Sequence, residues 1–268
     1  MISPLIPDAG AVVTRLPGAL CLLSAWLTVS TCASGDAEHA PRQAVRAAVA
    51  ANFAVPHQEL ARRFEAATGI AVETSLGSTG QLYAQIQNGA PFDVFLAADV
   101  ERPHLLEQAQ LAVAGTRFTY AVGCLALYAP QWDSVRSGAA ALGTKAFQHL
   151  AIADPRTAPY GAAAKEVLER WNVWDSLQTS LVRGANVGQV FQFVESGAAE
   201  VGFVALSQVV GSEPRHYWVV PQELHRPIHQ DAVLLQPGAR NSAAQRFLAF
   251  LQSDQGRHVM TTFGYSQP

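Results

Sequence analysis

Four short segments of this 268-residue chain combine small and neutral residues in a way that suits the binding of an anion. They are residues 50–53 (Ala-Ala-Asn-Phe), 77–80 (Gly-Ser-Thr-Gly), 158–161 (Ala-Pro-Tyr-Gly) and 185–188 (Ala-Asn-Val-Gly). Each segment lies where a predicted strand is followed by a predicted helix. The first N–H groups of a helix have no partner within it, and the helix dipole adds partial positive charge there. Several helix starts that converge therefore predict an anion site built without Lys or Arg.

Each of these loops also has a simpler interpretation, because Asn, Ser and Thr cap helices in proteins of every kind. Two of the loops come from the first half of the chain and two from the second. Ligands bind at the carboxyl ends of strands in open α/β sheets. The four loops taken together therefore favour a ligand site where two halves of the molecule meet.

The segments that must position these loops alternate strand patterns with helix patterns, which is typical of an α/β fold with largely parallel sheets. Two longer apolar segments, 118–129 and 227–236, are each long enough to run from one lobe into another. A chain that crosses twice gives a discontinuous first lobe, 44–119 plus 232–268, and a continuous second lobe, 120–231. Gly123 and the neighbourhood of Asp231 are the expected hinge.

The N-terminus has the layout of a secretory signal peptide. Arg15 precedes the uncharged segment 16–29, which is short for a membrane span, and small residues follow it. We predict a signal peptide over 1–35, a tether over 36–43, and a periplasmic location. Lipid anchoring at Cys32 is the alternative, although Thr31 is an unusual residue before a lipidated cysteine.

Composition excludes several other classes of protein. Lys and Arg number 18 against 21 Asp and Glu, for a net charge of -3, whereas nucleic-acid binders show clustered basic residues. The predicted mature chain keeps a single cysteine, Cys124, which predicts a buried thiol and no internal disulfide.

Enzyme signatures are absent from the sequence. There is no Gly-x-Ser-x-Gly elbow, no phosphate-binding Gly-x-x-x-x-Gly-Lys loop and no His-Glu-x-x-His pair. His225 and His229 fall in a segment with the pattern of a strand, which does not favour metal ligation. We therefore predict no catalytic residues and no directly coordinated metal cation.

A family resemblance becomes specific at residues 77–86 and 88–99, the second of which contains Gly-Ala-Pro-Phe-Asp-Val-Phe. These runs resemble the periplasmic molybdate-binding proteins of ABC transporters, as do 50–56, 154–161 and 201–206 in order and spacing. The resemblance covers nearly the whole predicted mature chain. It implies a type II two-lobed binding protein, each lobe a mostly parallel sheet flanked by helices, with the ligand cleft between the lobes.

The resemblance also implies a function. Such a protein captures molybdate, and tungstate with it, and delivers the ion as a monomer to an ABC transporter permease in the inner membrane, without a cofactor. Carried over by position, the ligand residues are Asn52, Ser78, Thr79 and the backbone N–H groups of Tyr160 and Val187. Ala51 and Phe203 are further candidates at which some relatives carry hydroxyl donors.

Two questions stay open at the level of sequence. Molybdate, tungstate and sulfate present only acceptors, whereas a protonated phosphate needs an acceptor in the site. Sulfate or phosphate is therefore the alternative ligand, and a hydrolase or transferase on an α/β scaffold is the alternative from another class. Asp154 and Arg156 could tune the site, but an Asp before Pro at a strand end is more typical of a turn.

Overall fold

The computed structural model describes residues 44–135, 138–143 and 147–268. The predicted signal peptide, the tether and Cys32 lie outside these described residues. The described chain contains ten strands: β1 (Val45–Ala50), β2 (Val72–Gly77), β3 (Val94–Leu96), β4 (Phe118–Gly123), β5 (Leu125–Tyr128), β6 (Leu150–Ala153), β7 (Leu181–Gly184), β8 (Val201–Ala205), β9 (Tyr217–Val219) and β10 (Ile228–Leu234).

The helices of the described residues connect and flank these strands: α1 (Ala54–Thr68), α2 (Thr79–Gln87), α3 (Glu101–Gln108), α4 (Gly138–Gly143), α5 (Pro159–Arg170), α6 (Val187–Glu195), α7 (Leu206–Val209), α8 (Ser242–Gln252) and α9 (Asp254–Thr262). A short 3-10 helix, Ala51–Phe53, lies between β1 and α1. Within the described ranges, no helix combines the length and the apolar composition needed to cross a membrane.

The strands form two five-stranded sheets. The first sheet has the order β2-β1-β3-β10-β4, and the second has the order β7-β6-β8-β5-β9. Three neighbouring strands are parallel in each sheet, and the remaining two run antiparallel to their neighbours. The predicted α/β class with two sheets flanked by helices is confirmed, and each sheet is mixed.

The chain passes from the first sheet to the second at Cys124. The apolar segment 118–129 contains two strands and not one continuous strand, because β4 pairs with β10 in the first sheet whereas β5 pairs with β8 in the second. Most residues on both sides of Cys124 are buried, so the apolar pattern continues across the break. The predicted lobe boundaries stay a prediction.

Each sheet has its own hydrophobic core. Phe53, Leu60 and Phe64 pack with Phe247 against the first sheet, while Leu127, Leu150 and Val167 belong to the core of the second. Burying an apolar side chain of this size contributes about 1.5–3 kcal/mol. Because each sheet is packed against its own core, the loops at the strand ends are held in fixed positions.

Candidate functional site

The four loops singled out in the sequence meet at one small cavity, which has a volume of about 10 Å³. This volume is below the ~300–1,000 Å³ typical of pockets for drug-sized ligands. The cavity is therefore suited to a small ion. Its lining comes from the ends of strands in both sheets and the helix starts that follow them: Ala50, Ala51, Asn52, Gly77, Ser78, Thr79, Ala98, Ala158, Pro159, Tyr160, Asn186 and Val187.

Ser78 and Thr79 bring two hydroxyl groups to the cavity. Ser78 is the N-cap of α2, and its Oγ accepts a hydrogen bond from the N–H of Gln81 at 3.3 Å. The Oγ1 of Thr79 accepts one from the N–H of Ala98 at 3.0 Å. A hydroxyl that accepts from the backbone still has its own hydrogen to donate. Both side chains are buried, so their hydroxyls can donate hydrogen bonds to a ligand in the cavity with little competition from water.

Tyr160 and Val187 contribute backbone N–H groups at the starts of two helices of the second sheet. Tyr160 follows Pro159 in the first turn of α5, and Val187 is the first residue of α6. The side chain of Asn186 caps α6 by accepting from the N–H of Gln189 at 3.0 Å. Because Val187 is the first residue of α6, its N–H has no partner within the helix. These positions agree with the backbone roles that the resemblance implies.

Asn52 lies in the 3-10 helix and is buried beside the cavity. Its Nδ2 donates to Gln230 Oε1 at 2.9 Å and to the Tyr265 hydroxyl at 3.0 Å. The side-chain donors are therefore engaged within the protein, and the backbone N–H of Asn52 is the group that a ligand can use. Ala51 precedes it in the same helix and offers only a backbone N–H.

The cavity is positive through its dipoles and carries no formal charge of its own. None of its lining residues is Asp, Glu, Lys, Arg or His. The described residues also contain no cluster of His, Cys, Asp or Glu that could hold a metal ion. Three α-helices begin at this point, and the positive ends of their dipoles favour an anion.

A larger and more open cleft, with a volume of about 420 Å³, adjoins the small cavity. It is lined by Arg102, Arg156 and Arg226, but each of these is already paired with a carboxylate. The small cavity is therefore the better site for an anion, because no carboxylate competes for its hydrogen-bond donors.

Hydrogen bonds join the two sides of the small cavity. The N–H of Gly80 in α2 donates to the carbonyl of Thr157 at 2.8 Å. Ser207 Oγ donates to the carbonyl of Asn52 at 2.7 Å. The loops of the two sheets are thus in contact around the cavity.

Comparison with known proteins decides the family. A family model described as bacterial extracellular solute-binding protein matches residues 45–266. The molybdate-binding protein ModA of Rhodobacter capsulatus is 44% identical over 243 residues, which cover 91% of this chain and 96% of that protein. ModA of Azotobacter vinelandii is 48% identical over 228 residues, covering 82% and 89% respectively. This chain belongs to the ModA family.

A solved structure supports the same assignment for this ModA-family chain. The periplasmic molybdate-binding protein of Azotobacter vinelandii superposes with a TM-score of 0.81 at 36% identity, over 84% of this chain and 99% of that one. The family consists of extracellular solute-binding proteins, so the chain is a binding protein and not an enzyme. The resemblance seen in the sequence is confirmed.

Two predicted candidates lie elsewhere in the ModA-family fold. Phe203 in β8 is buried in the core of the second sheet, where its ring lies 6.4 Å from that of Trp171, and it does not line the cavity. Asp154 accepts hydrogen bonds from the backbone and side chain of Arg156, which lowers the pKa of its carboxyl group. These contacts make Asp154 a turn residue.

Sequence reasoning missed the polar side chains behind the cavity. Gln230 in β10 and Tyr265 near the C-terminus hold Asn52, and Ser207 in α7 bonds to its carbonyl. The local pattern does not single out Gln230, because His229 and Asp231 flank it in β10. Nothing in the local pattern indicates that Tyr265 reaches back to residue 52.

Proposed function

We propose that this protein captures molybdate in the small cavity and delivers it to an ABC importer. One observation carries the proposal: in a chain of the ModA family, helix starts from both sheets and the hydroxyls of Ser78 and Thr79 converge on a cavity whose lining has no carboxylate. The ligand groups are the side chains of Ser78 and Thr79 and the backbone N–H groups of Asn52, Tyr160 and Val187, with Ala51 adding a backbone N–H beside them.

The donor set is strong enough for tight binding. Hydrogen bonds to a charged group contribute about 1.5–3 kcal/mol each, so five of them come to roughly 10 kcal/mol. Micromolar affinity requires about 8 kcal/mol. A neutral site of this size therefore holds a dianion without a lysine or an arginine.

The chemistry of the donors favours fully ionised oxyanions. Molybdate and tungstate present only acceptor oxygens at neutral pH, which matches a lining that supplies donors. A phosphate that keeps a proton needs an acceptor, and no Asp or Glu lines the cavity. Tungstate has the same charge and shape as molybdate, so we propose that it binds as well.

The setting of the protein follows from the same proposal. We propose that the signal peptide directs the chain to the periplasm, where it acts as a monomer and meets an inner-membrane permease. No cofactor takes part, because the task is capture and release of an ion.

A calorimetric panel of molybdate, tungstate, sulfate and phosphate tests this function on the protein without its predicted signal peptide. We expect micromolar or tighter binding of molybdate and tungstate at a stoichiometry of one, and at least hundredfold weaker binding of sulfate and phosphate. Equal or tighter binding of sulfate or phosphate would assign the protein to another tetrahedral oxyanion.

A further inference from the structure

Gln230 lies within β10 with none of its surface exposed, at the point where the pairing of β10 with β4 shifts register. A fully buried amide needs partners for both its oxygen and its nitrogen, since a buried polar group without a partner destabilises the fold. The partners of Gln230 are Tyr120 in β4, Asn52 in the 3-10 helix after β1, and Tyr160 in the first turn of α5.

The amide of Gln230 connects two segments that line the cavity. Its Oε1 accepts from Asn52 Nδ2 at 2.9 Å and from the Tyr120 hydroxyl at 2.9 Å. Its Nε2 lies 3.2 Å from the hydroxyl of Tyr160 and donates to it. Asn52 belongs to the 3-10 helix after β1 and Tyr160 to the first turn of α5 after β6. One side chain thus connects a site segment of the first sheet to a site segment of the second.

Asn52 is fixed from its other side too. Its carbonyl accepts from the hydroxyls of Tyr265 at 2.9 Å and Ser207 at 2.7 Å. Its side chain is hydrogen-bonded to Gln230 and Tyr265. These hydrogen bonds to the side chain and the carbonyl of Asn52 hold the 3-10 helix in place. The backbone N–H of Asn52 is therefore aimed by groups that do not themselves line the cavity.

Gly123 makes room for this connection. It ends β4, just before the chain passes to the second sheet, and a Cβ there would lie 2.2 Å from the Tyr160 hydroxyl and 2.4 Å from Gln230 Nε2. Any residue other than glycine would push these two groups apart. The bond between Gln230 and Tyr160 therefore lies directly beside the point where the two sheets are joined.

The phenol groups around Gln230 are neutral in the folded protein. Burial raises the pKa of Tyr120 and of Tyr160 well above the ordinary value, and it raises the pKa of Tyr265 to about 12. The titratable and charged groups beyond these phenols are Cys124, whose pKa burial raises, Asp99, whose pKa burial also raises, and the ion pair of Asp231 with Arg117. His229, the neighbour of Gln230 on β10, is exposed.

We propose that Gln230 is a positioning residue that sets the spacing between the two halves of the anion site. It acts through Asn52 and Tyr160 when the sheets close, without touching the anion. This inference rests on the proposed function, because it assumes that the anion lies between the backbone N–H groups of these two residues.

The test compares molybdate affinity in the wild-type protein and in Gln230→Leu and Gln230→Glu, measured by calorimetry between about pH 6 and pH 9. Gln230→Leu keeps the volume but removes all three hydrogen bonds, and we expect at least a tenfold loss of affinity. Gln230→Glu is a close isostere while protonated and adds a negative charge near the dianion when ionised. Its affinity should approach that of the wild type at the low end and fall as the pH rises, whereas wild-type affinity stays flat.

A matched control is Tyr120→Phe, which removes one hydrogen bond to the same Oε1 but leaves the connection between Asn52 and Tyr160. We expect less than a threefold change in its affinity. Wild-type affinity in Gln230→Leu, or a flat pH profile in Gln230→Glu, would overturn the positioning role. If Gln230→Leu does not fold, the pH profile of Gln230→Glu decides alone. Failure of the wild-type protein to bind molybdate would instead overturn the proposed function.

Discussion

The hydroxyl groups of Ser78 and Thr79 show how a neutral side chain becomes a dedicated donor. Each oxygen already accepts a backbone hydrogen bond, from Gln81 or from Ala98, so the hydrogen of each hydroxyl is left to point elsewhere. The cavity lies next to both. The fixed orientation lowers the entropy that each group loses when an anion binds.

Removing the hydroxyl of Thr79 should therefore weaken binding of molybdate. We expect Thr79→Ala to lose at least tenfold in affinity, because one hydrogen bond to a charged group contributes about 1.5–3 kcal/mol. Thr79→Ser keeps the hydroxyl and should stay within threefold of the wild type. Calorimetric titration checks both variants, and equal affinity in Thr79→Ala and wild type would exclude Thr79 from the site.

The individual residues of the site were only partly predictable from the sequence. Ser78 and Thr79 were accessible because they lie in one short Gly-Ser-Thr-Gly segment, where local rules for helix caps apply. The side-chain partners of Asn52 were not, because Gln230 and Tyr265 are 178 and 213 residues away in sequence. Phe203 was a candidate only through the family resemblance, whereas its place in the apolar run 201–206 is typical of a buried strand.

At the scale of elements, the site depends on how closely α2 approaches the loop before α5. Gly80, in the first turn of α2, donates its N–H to Thr157 across the cleft. A Cβ on Gly80 would lie 2.9 Å from the carbonyl oxygen of Thr157 and 3.0 Å from its Cα. Backbone atoms at such distances cannot yield cheaply, so only glycine permits this contact.

Gly80→Ala should therefore oppose closure while leaving each sheet intact. We expect at least a tenfold loss of affinity for molybdate with little change in the melting temperature of the ligand-free protein. Gly211→Ala is the matched control, because a Cβ there meets open space. Wild-type affinity in Gly80→Ala would show that the contact between Gly80 and Thr157 is not part of the bound state.

The elements themselves were largely predictable, because strand and helix patterns alternate along the chain and each of the four loops follows a short strand. The exception is the passage between the sheets. β4 and β5 form one uninterrupted apolar run around Cys124, and only their pairing with β10 and β8 separates them. Strand pairing is a long-range property that periodicity does not contain.

At the scale of the whole molecule, a chain with a net charge of -3 is proposed to bind a dianion. The attraction of local dipoles for the anion must therefore exceed its repulsion by the net negative charge. This requires a site from which water is excluded and in which the donors are fixed. The packed cores of the two sheets hold the donors in fixed positions. The contacts between the two sides of the small cavity exclude water from it.

The stability of the folded protein should depend on pH through His57 in α1. Burial lowers the pKa of its imidazole from 6.5 to about 4, and its Nδ1 has no partner among the described residues. The unfolded chain therefore binds more protons between these pH values, and the free energy of unfolding falls as the pH drops from about 6.5 towards 4. The linked change is on the order of 3 kcal/mol.

Urea unfolding at several pH values measures this dependence in the wild type and in His57→Phe. The Phe variant keeps an aromatic ring beside Phe53 and Phe247 and removes the titrating group. Its stability should change less with pH over the same interval. An identical slope in the two proteins would show that another group controls acid stability.

The position of the bound ion tests the central claim most directly. A crystal of the protein with molybdate, measured with anomalous scattering at a molybdenum absorption edge, should show one strong peak in the cavity lined by Ser78, Thr79, Tyr160 and Val187. Oxygen atoms of the ion should lie within hydrogen-bonding distance of the two hydroxyls and of the backbone nitrogens. A peak in the larger cleft beside Arg102 and Arg226, or no peak in the small cavity, would contradict the account.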